Sequence, residues 1–209
     1  MRHIQNVNDV IPVFSDLPSL YIHPDRQSEW MSELPDDITK SMNDCPRLQH
    51  RLSSLIHKRY CLEPYRPQLE GADVSIAILS HAHLVQLIKI AGAVWHGRSL
   101  MRLITKVDLV EIHRAIGESG YQIAISQAAI FPAPDNPETD LERPSEACLE
   151  RDGVLCFRAW LAMLPKSISA RILLKFPTPF FATSIPPNFL RHGPSIISAV
   201  GKELTNHAA

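Results

Sequence analysis

Histidine can take part in more kinds of chemistry than the other residue types that stand out in this sequence. The 209-residue chain contains ten histidines, and histidine both binds metals and transfers protons near neutral pH. The closest pair is His81 and His83. Two residues this far apart on a helix point about 200° away from each other, so they could share a metal only in a strand or turn. Because no glutamate-containing His-x-x-x-His pattern accompanies them, we expect polar residues at the start of a helix.

A third histidine, His96, precedes Gly97 and could act in acid-base catalysis. No serine lies in the Gly-x-Ser-x-Gly arrangement of a hydrolase nucleophile, and Ser119, between Gly117 and Gly120, fails that spacing. A histidine at the end of a helix is the simpler interpretation, since its positive charge favours the carbonyl end of the helix dipole. A small metal-dependent or histidine-based hydrolase built on His81, His83 and His96 remains the alternative.

The other candidates for chemistry have structural explanations. The acidic pair Asp36 and Asp37 and the acidic cluster at 135–152 lie next to prolines, which is typical of helix caps and solvated loops. Cys61 and Cys156 lie among apolar neighbours and are expected in the core. The four cysteines are too scattered for a zinc site or a disulfide framework, and no glycine-rich phosphate loop occurs. We therefore predict no catalytic residue, no cofactor and no metal.

Charge and hydropathy limit the environment and the partners. The chain carries 21 Lys and Arg against 22 Asp and Glu, a formal charge of −1, so we expect no nucleic-acid partner. No apolar run approaches the ~18 to 20 residues of a membrane span, and we expect no insertion into the bilayer. The first residues lack the pattern of a signal peptide, because Asp9 and Pro12 interrupt them. These features predict a cytoplasmic protein.

The apolar residues recur mostly at helical spacing. One stripe is formed by Leu48, Leu52, Leu55, Ile56 and Tyr60, and the clearest helix is predicted at 80–96. Further helices are expected after residue 105 with a stop at Gly117, at 145–164, and from Pro194 through Leu204. Segments 72–79 and 172–176 could be helices or strands. The predicted fold class is mainly α, an irregular multi-helix single domain over 1–209 with room for one or two short strands.

Prolines define the segments between these helices. The chain has 17 prolines but only 8 glycines, and proline interrupts regular structure. We predict an irregular N-terminal segment at 1–24, an exposed acidic loop at 132–145 and a proline-rich connector at 177–193 before the last helix. Residues 165–202 contain five basic and no acidic side chains. These are either a basic surface for an acidic partner, or they neutralise the acidic region 132–152 or are simply solvated.

Three stretches together resemble the SctK family of type III secretion systems, which includes YscK, PscK, HrpD and NolU. Pro18-Ser19-Leu20-Tyr21-Ile22-His23-Pro24 is similar to the family's N-terminal element. Residues 84–104 resemble its apolar helix, His-Gly turn and basic helix, here with His96-Gly97, Leu100 and Arg102. Residues 153–177 resemble its aromatic-rich helix, proline break and Arg-x-x-Leu ending. The resemblance covers most of the chain.

The resemblance implies a helical, non-enzymatic adaptor on the cytoplasmic face of the inner membrane. Members of the family link the sorting-platform pods, built from SctQ, to the cytoplasmic domain of the inner-membrane ring protein SctD. A small secretion chaperone is a third possibility, although a net charge of −1 does not suit its usual acidic composition.

We further hypothesise a partner-binding patch, because aromatic and arginine side chains are frequent interface anchors. Its members are Phe180, Phe181, Phe189 and Arg191, and the alternative is that the rings fold back onto the core. For His23, a partner contact and a hydrogen bond that holds the N-terminal segment are equally open.

Overall fold

A computed structural model describes residues 7–32, 34–63, 72–102, 106–131, 145–178 and 184–207. Every regular element in these ranges is a helix, which confirms the predicted mainly-α class. The α-helices are α1 Val7–Asp16, α2 Pro24–Met31, α3 Asp36–Asn43, α4 Gln49–Arg59, α5 Ala72–Ala77, α6 His81–Trp95, α7 Gly97–Met101, α8 Lys106–Ala128, α9 Glu146–Met163, α10 Lys166–Leu173 and α11 Pro187–His207. Two 3₁₀ turns, Pro18–Leu20 and Pro46–Leu48, precede α2 and α4.

Neither of the two segments that could have been strands forms a strand among its described residues. Residues 72–77 form α5, and residues 172–176 comprise the end of α10 and the turn after it. None of the described helices is both long and apolar enough to cross a bilayer.

The chain divides into two compact units. Unit 1 consists of residues 1–81 and 164–182, and unit 2 consists of residues 82–163 and 183–209. One domain over the whole of 1–209 stays a prediction. The predicted acidic loop lies almost entirely outside the described residues, as do residues 179–183 of the predicted connector.

The core of unit 1 forms where α2, α4 and the turn after α10 bring apolar side chains together. Ile22, Ile56, Leu62 and Leu174 are buried in one cluster, against which Tyr21, Trp30, Tyr60 and Ala170 pack. The predicted stripe of α4 is confirmed in part, since Leu52 and Ile56 are fully buried, whereas Leu55, also predicted on the stripe, is 48% exposed. The buried side of α4 is therefore narrower than the helical periodicity predicted.

The prediction of an irregular segment at 1–24 was wrong for residues 7–16, which form α1 despite an internal proline, Pro12. Val10, Val13 and Phe14 recur at i, i+3 and i+4, and Phe14 is only 3% exposed. Proline costs a helix interior about 3 kcal/mol. Burial of an apolar stripe offsets a penalty of this size.

Unit 2 is built on close packing between α6 and α9 and between α9 and α11. Gly92 of α6 and Gly153 of α9 allow the first contact. A Cβ at Gly92 would collide with the carbonyl of Leu149, and a Cβ at Gly153 would collide with the carbonyl of Ile88. Only glycine lets two helix backbones approach this closely.

The last helix begins earlier than predicted. α11 starts at Pro187 and includes Pro194, which we expected to be its first residue. The residues predicted as the end of the connector, 187–193, are therefore helical. Phe189, Ile196, Ile197 and Val200 are all buried and lie on one side of α11. Burial of this side of α11 offsets the hydrogen bond that Pro194 cannot donate.

Candidate protein-interaction groove

Unit 1 contains a groove with a volume of about 490 Å³. We name it the unit 1 groove and define it by Val10, Val13 and Phe14 of α1, by residues 20–24, by residues 78–81 and by Lys175. Most of these side chains are apolar. The groove therefore includes residues 20–24 of the 18–24 stretch that carried part of the family resemblance, and Leu20 is 53% exposed.

Lys175 is the most unusual side chain in the unit 1 groove. It is 3% exposed, and its Nζ donates hydrogen bonds to the carbonyl oxygens of Ala77 at 2.7 Å and Leu79 at 2.6 Å. The same Nζ lies 5.1 Å from the ring centre of Phe14 and 5.4 Å from that of Tyr21. Burial lowers the pKa of Lys175 to about 7, because an ammonium ion loses its hydration in such surroundings.

Tyr21 is held in place beside this lysine. Its hydroxyl donates a hydrogen bond to the carbonyl oxygen of Phe14 at 2.8 Å, and the two rings stack with their centres 5.7 Å apart. Burial raises the pKa of Tyr21, although the positive charge of Arg171 opposes the shift. The hydroxyl therefore stays protonated at physiological pH.

Arg171 joins α10 to the end of α1. It is fully buried; its Nε and Nη2 donate to the carbonyl oxygen of Ser15 at 3.3 and 3.2 Å, and its Nη1 donates to that of Ser167 at 2.7 Å. A planar guanidinium with several donors suits this task, because the last carbonyl groups of a helix have no partner within the helix.

The structure gives His23 a local role and a place in the unit 1 groove. Its Nδ1 accepts a hydrogen bond from the backbone N–H of Asp25 at 3.2 Å, which caps α2. Its backbone N–H donates to the carbonyl oxygen of Leu174 at 2.8 Å, which fixes this part of the chain. The imidazole contacts that of His81, with ring centres 5.2 Å apart, and His81 contacts Phe176 in turn. A contact between His23 and a partner protein stays a prediction.

The other members of the predicted patch have different environments. Phe180 and Phe181 lie outside the described residues. Phe189 is 6% exposed and stacks on Trp95, with ring centres 3.9 Å apart, so its ring belongs to the core of unit 2. Arg191, two residues later on α11, is exposed. Of the two alternatives for the aromatic rings, packing onto the core is therefore the one that holds for Phe189.

His96 is a buried residue paired with an acid. It lies at the junction of α6 and α7, and its Nε2 is 2.7 Å from Oδ2 of Asp152 on α9. Both side chains are 5% exposed. Burial by itself raises the pKa of Asp152, but the hydrogen bonds from His96 and Arg151 outweigh that effect and lower it. His96 therefore lies at the end of a helix, as predicted, and the structure adds a buried hydrogen bond to Asp152.

The residues of the hydrolase alternative do not form a nucleophilic centre around His96. Cys156, one turn after Asp152, is fully buried, and burial together with the nearby carboxylate raises the pKa of its thiol well above the usual value. A thiol needs a lowered pKa to attack a substrate. His81 and His83 occupy the first turn of α6, as predicted. Within the described ranges, no group of three or more His, Cys, Asp or Glu side chains is arranged to hold a metal.

Sequence reasoning missed the buried ionic groups. Arg171 and Lys175 belong to the basic region that was interpreted either as a partner surface or as neutralising or solvated charges, but both side chains are buried. They follow Ile168 at i+3 and i+7 and so lie on the apolar side of the segment. Asp152 follows the buried Leu149 by three residues in the same way. A charged residue at an apolar position of a helical stripe was the available signal.

The described residues thus define a helical protein whose buried ionisable groups serve its structure and whose unit 1 contains a groove lined mostly by apolar side chains. Residues 13–201 match the family described as YOP proteins translocation protein K (YscK). The nodulation proteins NolU of Rhizobium fredii and of Sinorhizobium fredii (strain NBRC 101917 / NGR234) are each 29% identical to the chain over 160 residues, which cover 74% of this chain and 70% of each relative. No solved structure matches.

The match over residues 13–201 covers most of the chain, and the chain belongs to the YscK family. This is the SctK family that the three sequence stretches indicated. The protein is therefore associated with type III secretion.

Proposed function

We propose that this protein is a non-enzymatic adaptor that bridges the SctQ-type pods of the sorting platform to the cytoplasmic domain of the SctD-type inner-membrane ring protein. The single observation that carries the proposal is the family match over residues 13–201. In this role the protein stays at the cytoplasmic face of the inner membrane and is required for secretion into a host cell. The names of the relatives suggest a host interaction of the nodulation type.

The uses of the ionisable side chains support a role without catalysis. The pairing of His96 with Asp152 fixes α9 against the junction of α6 and α7. Lys175 and Arg171 donate to backbone carbonyl groups. Each of these groups therefore has a structural task that accounts for its burial.

A bridging assay tests the proposal. Immobilised pod protein is mixed with the cytoplasmic domain of the ring protein, with and without this chain. We expect the ring domain to be retained only when the chain is present, because an adaptor must bind both partners at once. Equal retention without the chain, or binding of the chain to only one partner, contradicts the bridge.

His23, Phe180, Phe181 and Arg191 remain the proposed partner contacts. The first variant to test is Arg191→Ala, because the side chain is exposed and its removal leaves the core intact. Loss of one partner with unchanged thermal stability supports the contact, whereas retention of both partners removes Arg191 from the interface.

A further inference from the structure

The unit 1 groove has the size and lining of a binding site. Its volume of about 490 Å³ lies within the range of ~300 to 1,000 Å³ that is typical of ligand sites. Val10, Val13, Ile78 and Leu20 line it, and Leu20 is 53% exposed. The exposed Leu20 and the apolar side chains that line the groove form a surface that apolar side chains of a partner can cover.

One amine and two imidazoles line the groove. The amine belongs to Lys175 and the imidazoles to His23 and His81, and Oδ2 of Asp25 lies 3.7 Å from Nδ1 of His23. None of the described residues that line the groove is acidic, and Lys175 has backbone carbonyl groups rather than a carboxylate as its hydrogen-bond acceptors. A buried cation without a counter-charge favours an anionic ligand, because a carboxylate brought to it replaces lost hydration with an ion pair.

We propose that the unit 1 groove binds an extended segment of a partner protein in which an Asp or Glu side chain is flanked by apolar residues. The apolar residues cover Leu20, Val10 and Val13, and the carboxylate faces Lys175. The choice of a protein segment as occupant rests on the proposed function as an adaptor. It assigns the binding site to unit 1 and makes the acidic residue the determinant of specificity.

The ionisation of the groove supports this assignment. The pKa of Lys175 is lowered to about 7 by burial, and a bound carboxylate stabilises the charged form. The other titratable groups around it are Tyr21, which burial keeps protonated, and the imidazoles of His23 and His81. Arg171 and Asp16 act on Tyr21 from α10 and α1 with opposite signs. Binding is therefore expected to draw a proton onto Lys175.

Overlapping short peptides that cover the pod protein and the cytoplasmic domain of the ring protein provide the probe. The full chain is titrated into each labelled peptide, and fluorescence anisotropy gives the dissociation constant. We expect the binding peptides to contain Asp or Glu next to apolar residues. Replacement of that acid by its amide weakens binding at least about tenfold, since the buried ion pair is lost. If no peptide binds, or the amide peptides bind equally well, the proposal is wrong.

Variants at the edge of the groove separate its charge from its fold. Leu20→Glu places a negative charge beside the site, and Leu20→Lys places a positive one. The control variant is Leu55→Glu, at a residue on α4 that is 48% exposed. Because Leu20 and Leu55 are both exposed, we expect all three variants to fold normally. Leu20→Glu should weaken peptide binding at least about tenfold relative to Leu20→Lys. Equal effects of Leu20→Glu and Leu55→Glu overturn the assignment.

The bridging assay with the same variants distinguishes this inference from the proposed function. Wild-type bridging that persists in Leu20→Glu overturns the groove as the binding site and leaves the adaptor role standing. Peptide binding that depends on Leu20, without bridging by the wild type, supports the groove and contradicts the bridge. Sedimentation velocity measures self-association of the chain. If the wild type forms a dimer that Leu20→Glu disrupts and Leu55→Glu does not, the groove is an interface between two copies and the proposal is overturned.

Discussion

Two buried cations and one buried acid define the interior of this protein at the scale of single residues. Lys175 and Arg171 of unit 1 donate to backbone carbonyl groups, whereas Asp152 of unit 2 accepts from His96 and Arg151. A buried charge is tolerated only when its hydrogen-bonding capacity is used. The consequences are a pKa near 7 for the lysine and a lowered pKa for the acid.

Lys175 should make stability depend on pH. Its pKa is about 7 in the folded chain against an ordinary value of 10.5. Between these values the unfolded chain binds a proton that the folded chain does not, so stability rises with pH. The expected contribution between pH 7 and 9 is about 2 kcal/mol. Urea unfolding at several pH values measures it.

The variant Lys175→Met is the comparison for this measurement. It lacks the titrating amine, so its stability should rise about 2 kcal/mol less over the same interval than that of the wild type. The range stops at pH 9 because Tyr21, with its raised pKa, begins to oppose the trend at higher pH. Parallel pH profiles of the two proteins would show that Lys175 is not desolvated in solution.

Phe189 should affect stability more than partner binding. Its ring is 6% exposed and stacks on Trp95, so Phe189→Ala removes a buried aromatic side chain. We expect the free energy of unfolding to fall by about 3 kcal/mol. Arg191→Ala, at an exposed position on the same helix, should change it by less than about 0.5 kcal/mol. Thermal or chemical denaturation checks both, and a Phe189→Ala protein as stable as Arg191→Ala would place the ring outside the core.

At the scale of elements, glycine and proline decide where helices bend and how closely they pack. Gly92 and Gly153 let α6 and α9 meet backbone to backbone. Pro12 and Pro194 lie inside α1 and α11 without ending them. Gly117 interrupts α8 with φ 75° and ψ 166°, and a contact between Nδ1 of His113 and Oε2 of Glu118, 2.9 Å apart, spans the break.

Substitution at Gly117 tests the break in α8. A Cβ there meets no other atom within 4 Å, so any cost comes from the backbone conformation, which is almost exclusive to glycine. Gly117→Ala should lower the free energy of unfolding by about 1 to 3 kcal/mol. Ser119→Ala, exposed two residues later, is the control and should change it by less than about 0.5 kcal/mol. If Gly117→Ala is as stable as the control, α8 continues through this position in solution.

At the scale of the whole molecule, the proposed adaptor role and the proposed peptide site share one physical basis, which is contact with other proteins. The unit 1 groove, lined mostly by apolar side chains and by Lys175, is the surface that we propose for one such contact. A specific protein interface buries about 800 Å² on each partner. A groove of this volume is therefore one anchoring point within a larger contact.

Deletion of the gene provides the test in the cell. Without the adaptor, a fluorescently tagged pod protein should lose its discrete foci at the inner membrane, since nothing connects it to the ring. Fluorescence microscopy measures this, and secretion of effectors should cease in parallel. Complementation with the wild type or with Leu55→Glu should restore the foci. Normal foci in the deletion strain would contradict the adaptor role.

The amino-acid sequence alone determined the helical class, most helix positions and the family. Helical stripes such as that of α4, and the helix at 81–95, are local patterns that repeat every three to four residues. The three stretches that resemble the SctK family are likewise readable along the chain. The break at Gly117 was visible for the same reason, because a single residue type sets the backbone conformation there.

Only the tertiary structure decided the roles of the charged and proline residues. Whether Lys175 is solvated or buried depends on carbonyl groups of residues 77 and 79, nearly a hundred positions away in the chain. The pairing of His96 with Asp152 likewise joins distant segments. Pro12 and Pro194 remain within helices because burial of an apolar side outweighs the lost hydrogen bond. These outcomes are set by contacts between remote residues, and no local period encodes such contacts.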